Sequence, residues 1–155
     1  MADDDHADLV PIPALLRAAR GAYGNAIRAR LAQAGHEDLP RNGAYVLGGM
    51  ANQGVPASQL VRELGVSKQA AGQLIDTLVL RGYVERRPDA DDRRRVTLVV
   101  TERGAAAAAE VRAGVEEIDA RLAGMLGRAQ LDGLRAGLIA LTTIREEAEE
   151  QARSR

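Results

Sequence analysis

Cysteine, tryptophan and phenylalanine are absent from this 155-residue chain, and three tyrosines make up its whole Phe/Trp/Tyr complement. Without cysteine there can be no disulfide, no thiolate metal site and no cysteine-based redox sensor within the chain. So few rings argue against a single-stranded nucleic-acid platform, which stacks bases on aromatic faces. No stretch approaches the roughly 20 apolar residues of a membrane span. The first 30 residues hold no apolar run behind a basic start and open instead with Asp3, Asp4 and Asp5. A soluble cytoplasmic protein is the expectation. Histidine is nearly missing as well, with only His6 and His36. The run Asp3-Asp4-Asp5-His6 therefore reads as a solvated tail, and no metal site is expected. No Ser/His/Asp arrangement, phosphate-binding glycine loop or paired carboxylates appear, so neither an enzyme nor a cofactor is expected.

What the chain does have is small and aliphatic. Its apolar share is 46%, carried almost wholly by Ala, Leu, Val and Ile, which suits helices packed at close range. The net charge is −1, but the charge is unevenly spread. Residues 56–103 carry nine basic and seven acidic side chains, whereas the remainder carries twelve and fifteen. Arg86, Arg87, Arg93, Arg94 and Arg95 fall within ten residues. Arginine outnumbers lysine twenty to one; high-GC codon usage would produce that, and guanidinium also suits phosphate and minor-groove contacts.

Periodicity orders the chain. Ile12, Leu16, Ala19, Tyr23, Ile27 and Leu31 recur at three- and four-residue steps, predicting a helix over about 9–34 with one buried stripe, stopped by Gly35. Residues 41–52 read as a second helix that Gly43, Gly48 and Gly49 should weaken. After Gly54 and Val55-Pro56, a short helix runs through Leu60 and Leu64 to Gly65. Ser67 is then placed as the N-cap of a helix over about 68–81. Ala70, Leu74 and Leu78, with Ala71, Ile75 and Val79, give that helix one apolar face; Lys68, Gln69, Gly72, Gln73 and Asp76 fall on the other. Gly82 closes it. Tyr83–Arg87 and Val96–Val100 read as strands around the charged turn Pro88–Arg95. Beyond Thr101, a helix cap, Val111, Val115, Ile118, Leu122 and Met125 form one seam. After a break near Gly127, Leu131, Leu134, Leu138 and Leu141 form another, with the spacing of helices that pack on partner helices.

The order is helix, short helix, capped helix, then a β-hairpin with an arginine-rich tip. A helix-turn-helix presents its second helix to the DNA major groove. Gln69 and Gln73 are each suited to an adenine edge, Lys68 to guanine or phosphate, and Gly72 lets the backbone approach. A solvated polar face is the plainer reading of the same residues. For the hairpin tip the plainer reading is a neutralised surface loop; the alternative is a wing whose arginine enters the narrow, electronegative minor groove.

Val66-Ser67-Lys68-Gln69-Ala70, Leu74-Ile75-Asp76, Arg81-Gly82-Tyr83-Val84-Glu85-Arg86-Arg87, Asp89-Ala90-Asp91-Asp92-Arg93-Arg94-Arg95 and Thr101-Glu102-Arg103-Gly104 together resemble the MarR family of winged-helix regulators. The likeness is close over about 55–104 and holds by pattern alone in the flanking helices. It implies a mainly α fold with a β-hairpin wing. It also implies a homodimer joined through its first and last helices, and a palindromic double-stranded DNA operator. By motif position Arg94 is the minor-groove contact and Asp92 its orienting partner, with Arg93 and Arg95 beside them; Ser67, Lys68, Gln69, Gly72 and Gln73 are the recognition-helix positions. Many members carry Ser or Thr at position 72 and Arg at 73, so Gly72 and Gln73 depart from the pattern and the operator cannot be read by analogy.

The expected division is an acidic tail (1–8), an N-terminal dimerisation helix and loop (9–40), a winged helix-turn-helix lobe (41–104) and C-terminal dimerisation helices (105–155). The resemblance also implies a repressor released by a small aromatic or amphipathic effector, in a cleft that Tyr23, His36, Tyr45 and Met50 are placed to line. Tyr23 and Tyr45 are expected first as core residues. The alternative is a winged-helix protein-interaction module without DNA binding, which the negative net charge and Gln73 favour and the Asp92/Arg94 wing and Lys68 oppose.

Overall fold

The computed structural model describes residues 10–89 and 96–154. The expected tail over 1–8 and the wing-tip residues Asp92, Arg93, Arg94 and Arg95 lie outside the described residues. In chain order the elements are α1 (Ile12–Gln33), α2 (Arg41–Gln53), α3 (Ala57–Glu63), α4 (Lys68–Leu80), β1 (Val84–Pro88), β2 (Val96–Val100), α5 (Glu102–Met125) and α6 (Arg128–Arg153). This is the winged helix-turn-helix order. Contacts divide the chain into two compact units that meet between Glu116 and Glu117.

Local chemistry sets the boundaries of these elements. Gly35, Gly54, Gly65 and Gly82 all have positive φ, between 64° and 76°, and each follows the last turn of one of the first four helices. Only glycine enters that region without a Cβ penalty, so these residues end the helices as left-handed stops. At the other end of α4, the Ser67 hydroxyl accepts a hydrogen bond from the Ala70 amide at 3.2 Å, satisfying one of the orphan donors of the first turn. Thr101 caps α5 in the same way, accepting from the Gly104 amide at 3.0 Å while its own hydroxyl donates to the Gly82 carbonyl at 2.6 Å.

The core of the first unit is aliphatic. Val46, Leu47, Leu78, Tyr83, Val84, Ala107 and Ala108 are all buried, drawing α2, α4, the base of the hairpin and α5 together. The glycines of α2 are part of this packing. A Cβ on Gly49 would lie 2.6 Å from Leu60 Cδ2, and one on Gly43 2.9 Å from Leu78 Cδ2. Sequence reasoning counted these glycines as weaknesses of the helix; their positions show that they let α3 and α4 approach α2 closely. Gly114 does the same for α5, where a Cβ would lie 2.9 Å from the Ile27 Cα of α1.

The apolar stripe expected along α1 is covered only in part. Leu31 is buried and Ile27 packs against the core, but Ile12, Leu15 and Leu16 remain exposed. In the second unit α6 buries no residue at all. Leu134, Leu138 and Leu141 are each about 40% exposed, and Ile139 and Ile144 more so. Among the described residues no helix is long and apolar enough to cross a membrane.

Candidate nucleic-acid interface and cavity

The buried face of α4 is fixed by Leu78, which is wholly buried, and by Leu74, Ile75 and Val79 packed around the core. That leaves Lys68, Gln69, Gly72, Gln73 and Asp76 exposed along the opposite side, as their spacing predicted. Around Gly72 a Cβ would meet nothing within 4 Å, so the backbone is open to an approaching surface there. Ser67, expected to contact DNA, is committed as an acceptor to the Ala70 amide. Its hydroxyl proton remains free to donate to an anionic oxygen. Asp76 has a second role: Arg86 Nη2 of β1 donates to its carboxylate at 2.6 Å, joining the exposed helix to the first strand of the hairpin.

β1 and β2 pair antiparallel, from Val84 opposite Val100 to Pro88 opposite Val96. Arg86 is held by Asp76 and Arg87 pairs with Glu85 on its own strand; Arg93, Arg94 and Arg95 lie outside the described residues.

A polar cluster that the sequence did not reveal ties α4 and the hairpin to the rest of the unit. Tyr83, fully buried, donates its phenol hydrogen to Asp38 Oδ1 at 2.5 Å. Arg103 donates to the same carboxylate at 3.0 Å and stacks its guanidinium 4.7 Å from the Tyr83 ring centroid. Arg81, at the end of α4, donates to the Asp38 carbonyl. The Tyr83 hydrogen bond, opposed by burial and reinforced by the Arg103 charge, holds the Asp38 carboxyl below its ordinary value. Burial, reinforced by Asp38, pushes the Tyr83 phenol up. The loop between α1 and α2 is thus clamped to the end of the exposed helix, the start of the hairpin and the first turn of α5.

His36 belongs to this cluster. It is buried, its ring centroid lies 5.7 Å from that of Tyr83, and its Nδ1 is 3.4 Å from the phenol oxygen. Met50 is half-buried against the core. Neither lines the cavity of about 640 Å³ that opens between α1, α2, α3 and α5. Tyr23 and Tyr45 do line it. Tyr45, expected first as a core residue, is 46% exposed and donates to Glu63 Oε2 at 2.7 Å. Its hydroxyl finds a carboxylate partner at the cavity rim that a place in the aliphatic core would not supply. Among the described residues, no three His, Asp or Glu side chains gather as a metal site.

The sequence pattern of the MarR family matches residues 37–95. The chain is similar in structure to a MarR-family protein of Mycobacterium tuberculosis in complex with salicylic acid, at 25% identity and a TM-score of 0.58, over 91% of this chain and 99% of that one. It is also similar to the DNA complex of MepR from S. aureus (18% identity, TM-score 0.68, 86% and 98% covered) and to reduced MarR from E. coli (22% identity, TM-score 0.63, 85% and 96% covered). No curated protein sequence matches the chain. The matched segment runs from the Asp38 loop through the exposed helix to the wing, and residues 37–95 carry the sequence pattern of the MarR family, within a chain that has the winged helix-turn-helix fold of these solved structures.

Proposed function

We propose that this chain is a dimeric, sequence-specific regulator of transcription that binds double-stranded DNA and is a repressor released by a small-molecule effector. The observation that carries the reading is α4: one face anchored by Leu78, the other presenting Lys68, Gln69, Gly72 and Gln73 to solvent around a backbone open at Gly72. In the major groove, Gln69 and Gln73 would each pair with an adenine edge and Lys68 with guanine or phosphate. The wing supplies Arg94 to the minor groove with Asp92 orienting it. The DNA complex of the S. aureus protein supports this use of the shared fold.

A 13-residue helix is only about 20 Å long, so one copy reads a few base pairs. Two copies, spaced by about one DNA turn, multiply the contacts. The uncovered leucines of α6 and the exposed start of α1 supply the apolar surface for joining them. The cavity behind α2, like the salicylate complex of the M. tuberculosis relative, supports effector control. An effector acts only through its differential affinity for DNA-competent and DNA-incompetent arrangements.

Fluorescence anisotropy on the native upstream duplex tests the reading. Gln73→Ala should cost about 1–3 kcal/mol at one base position. Arg94→Ala should weaken binding with little change in base preference, and an unchanged affinity for that variant removes the wing from the account.

A further inference from the structure

α4 carries two charged side chains, Lys68 at its first residue and Asp76. Asp76 lies one turn beyond Gly72 and Gln73 on the exposed side, so a bare carboxylate there would repel the phosphates of any duplex that the helix enters. Arg86 cancels that charge. Side chains alternate along a strand, so Arg86 shares with buried Val84 the side of β1 that faces α4, and its Nη2 donates to Asp76 Oδ1 at 2.6 Å. The pair stays in water all the same: the Arg86 side chain is 48% exposed and that of Asp76 70%. Ion pairs so exposed add little to stability, and Leu78 anchors α4 without this one. Stability is thus a weak reason for the strand to send an arginine to this place. A guanidinium presents five N–H donors in a rigid fork, and the bond to Asp76 takes one of them.

We propose that Arg86 is a phosphate contact of the α4 surface, supplied by β1 rather than by the helix itself, and that Asp76 is its positioning residue. The carboxylate holds one edge of the fork and turns the other toward a phosphate oxygen beside the base pairs in front of Gly72 and Gln73. Phosphate contacts set the register of a protein on the duplex, while base contacts carry the sequence. The Arg86 contact therefore fixes how α4 lies along the groove and which base pairs Gln69 and Gln73 meet. This rests on the DNA-binding reading above and adds to it a cation that α4, beyond Lys68, does not have.

The test uses the full chain with the native upstream duplex and a scrambled duplex of equal length, titrated by anisotropy at several salt concentrations. Arg86→Gln should weaken binding to both duplexes by about tenfold. It should also lower the slope of log affinity against log salt by about 0.9, the value of one phosphate contact. Arg86→Lys keeps the charge and loses the fork; it should retain the wild-type slope but not the full preference for the upstream duplex. Asp76→Asn should reduce that preference, because the arginine is no longer oriented. In the Arg86→Gln background the same substitution should change sign and recover part of the affinity, since it then removes a bare carboxylate. An unchanged salt slope in Arg86→Gln overturns the contact. Asp76→Asn tightening both duplexes alike, or losses that simply add in the double variant, overturns the positioning role. Melting temperatures should stay near that of the wild type; a collapse in both single variants would make the pair structural and overturn the proposal. A wild-type chain that binds neither duplex defeats the DNA-binding reading as a whole, whereas wild-type binding with an unchanged Arg86→Gln slope confines the failure to this contact.

Discussion

α2 and α6 follow opposite rules. α2 has 13 residues, three of them glycine, and buries six; α6 is twice as long, with stronger helix formers, and buries none. By propensity alone α6 is the better helix. α2 holds because Leu47 and Val46 sit in the core and Gly43 and Gly49 let neighbouring helices approach. α6 leaves Leu134, Leu138 and Leu141 about 40% exposed. Tertiary packing, more than local preference, stabilises short helices, and the exposed leucines of α6 are the surface that the proposed dimer would cover.

Substitutions of one kind in the two helical regions should therefore read out differently. The largest effect is expected for Leu78→Ala: deleting a wholly buried side chain beneath the exposed face of α4 should cost about 2–5 kcal/mol. Urea titration of dilute protein would measure it. Next comes Leu138→Glu, which should leave secondary structure intact but convert dimer to monomer. Burying a leucine contributes about 1.5–3 kcal/mol, so the dimer dissociation constant should rise by at least about tenfold. Sedimentation equilibrium would follow the association, and duplex affinity should fall with it. An unchanged mass for this variant would break the comparison at once.

A smaller effect, about 1 kcal/mol because the group is partly exposed, is expected for Asp38→Asn. The folded carboxyl titrates below its ordinary 3.8, so the unfolded chain takes up the proton first. The stabilisation is present above pH 3.8 and is lost as the pH falls further, through the depressed value. The variant should flatten the acid limb of the stability curve below pH 3.8 and leave the neutral region without a new slope. The smallest change is expected for Gly72→Ala. In open space on a helix it should stabilise by about 0.5–1 kcal/mol while weakening duplex binding, so stability and affinity move in opposite directions.

Much of this was legible in the residues. Leu74, Ile75, Leu78 and Val79 of α4, the Ser67 cap, the four glycine stops and both strands follow from local spacing, each within one residue or two of its expected place, whereas Ala70, expected on the apolar face, is exposed. The polar clamp was not legible, because Asp38, Tyr83 and Arg103 are separated by 45 and 20 residues and have no period in common. Nothing local distinguishes a tyrosine that anchors a hairpin, Tyr83, from one that rims a cavity, Tyr45. The α2 glycines were misjudged for a related reason: a propensity scale records their cost to the helix and not the approach they permit.

The most direct measurement is a titration of a labelled duplex from the gene's own upstream region at several salt concentrations, with the protein's mass followed in parallel. A dimer that binds this duplex more tightly than a scrambled one, with log affinity falling linearly with log salt as phosphate contacts release counterions, is the predicted result. A monomer at micromolar concentration that leaves both duplexes unbound at low ionic strength would contradict it.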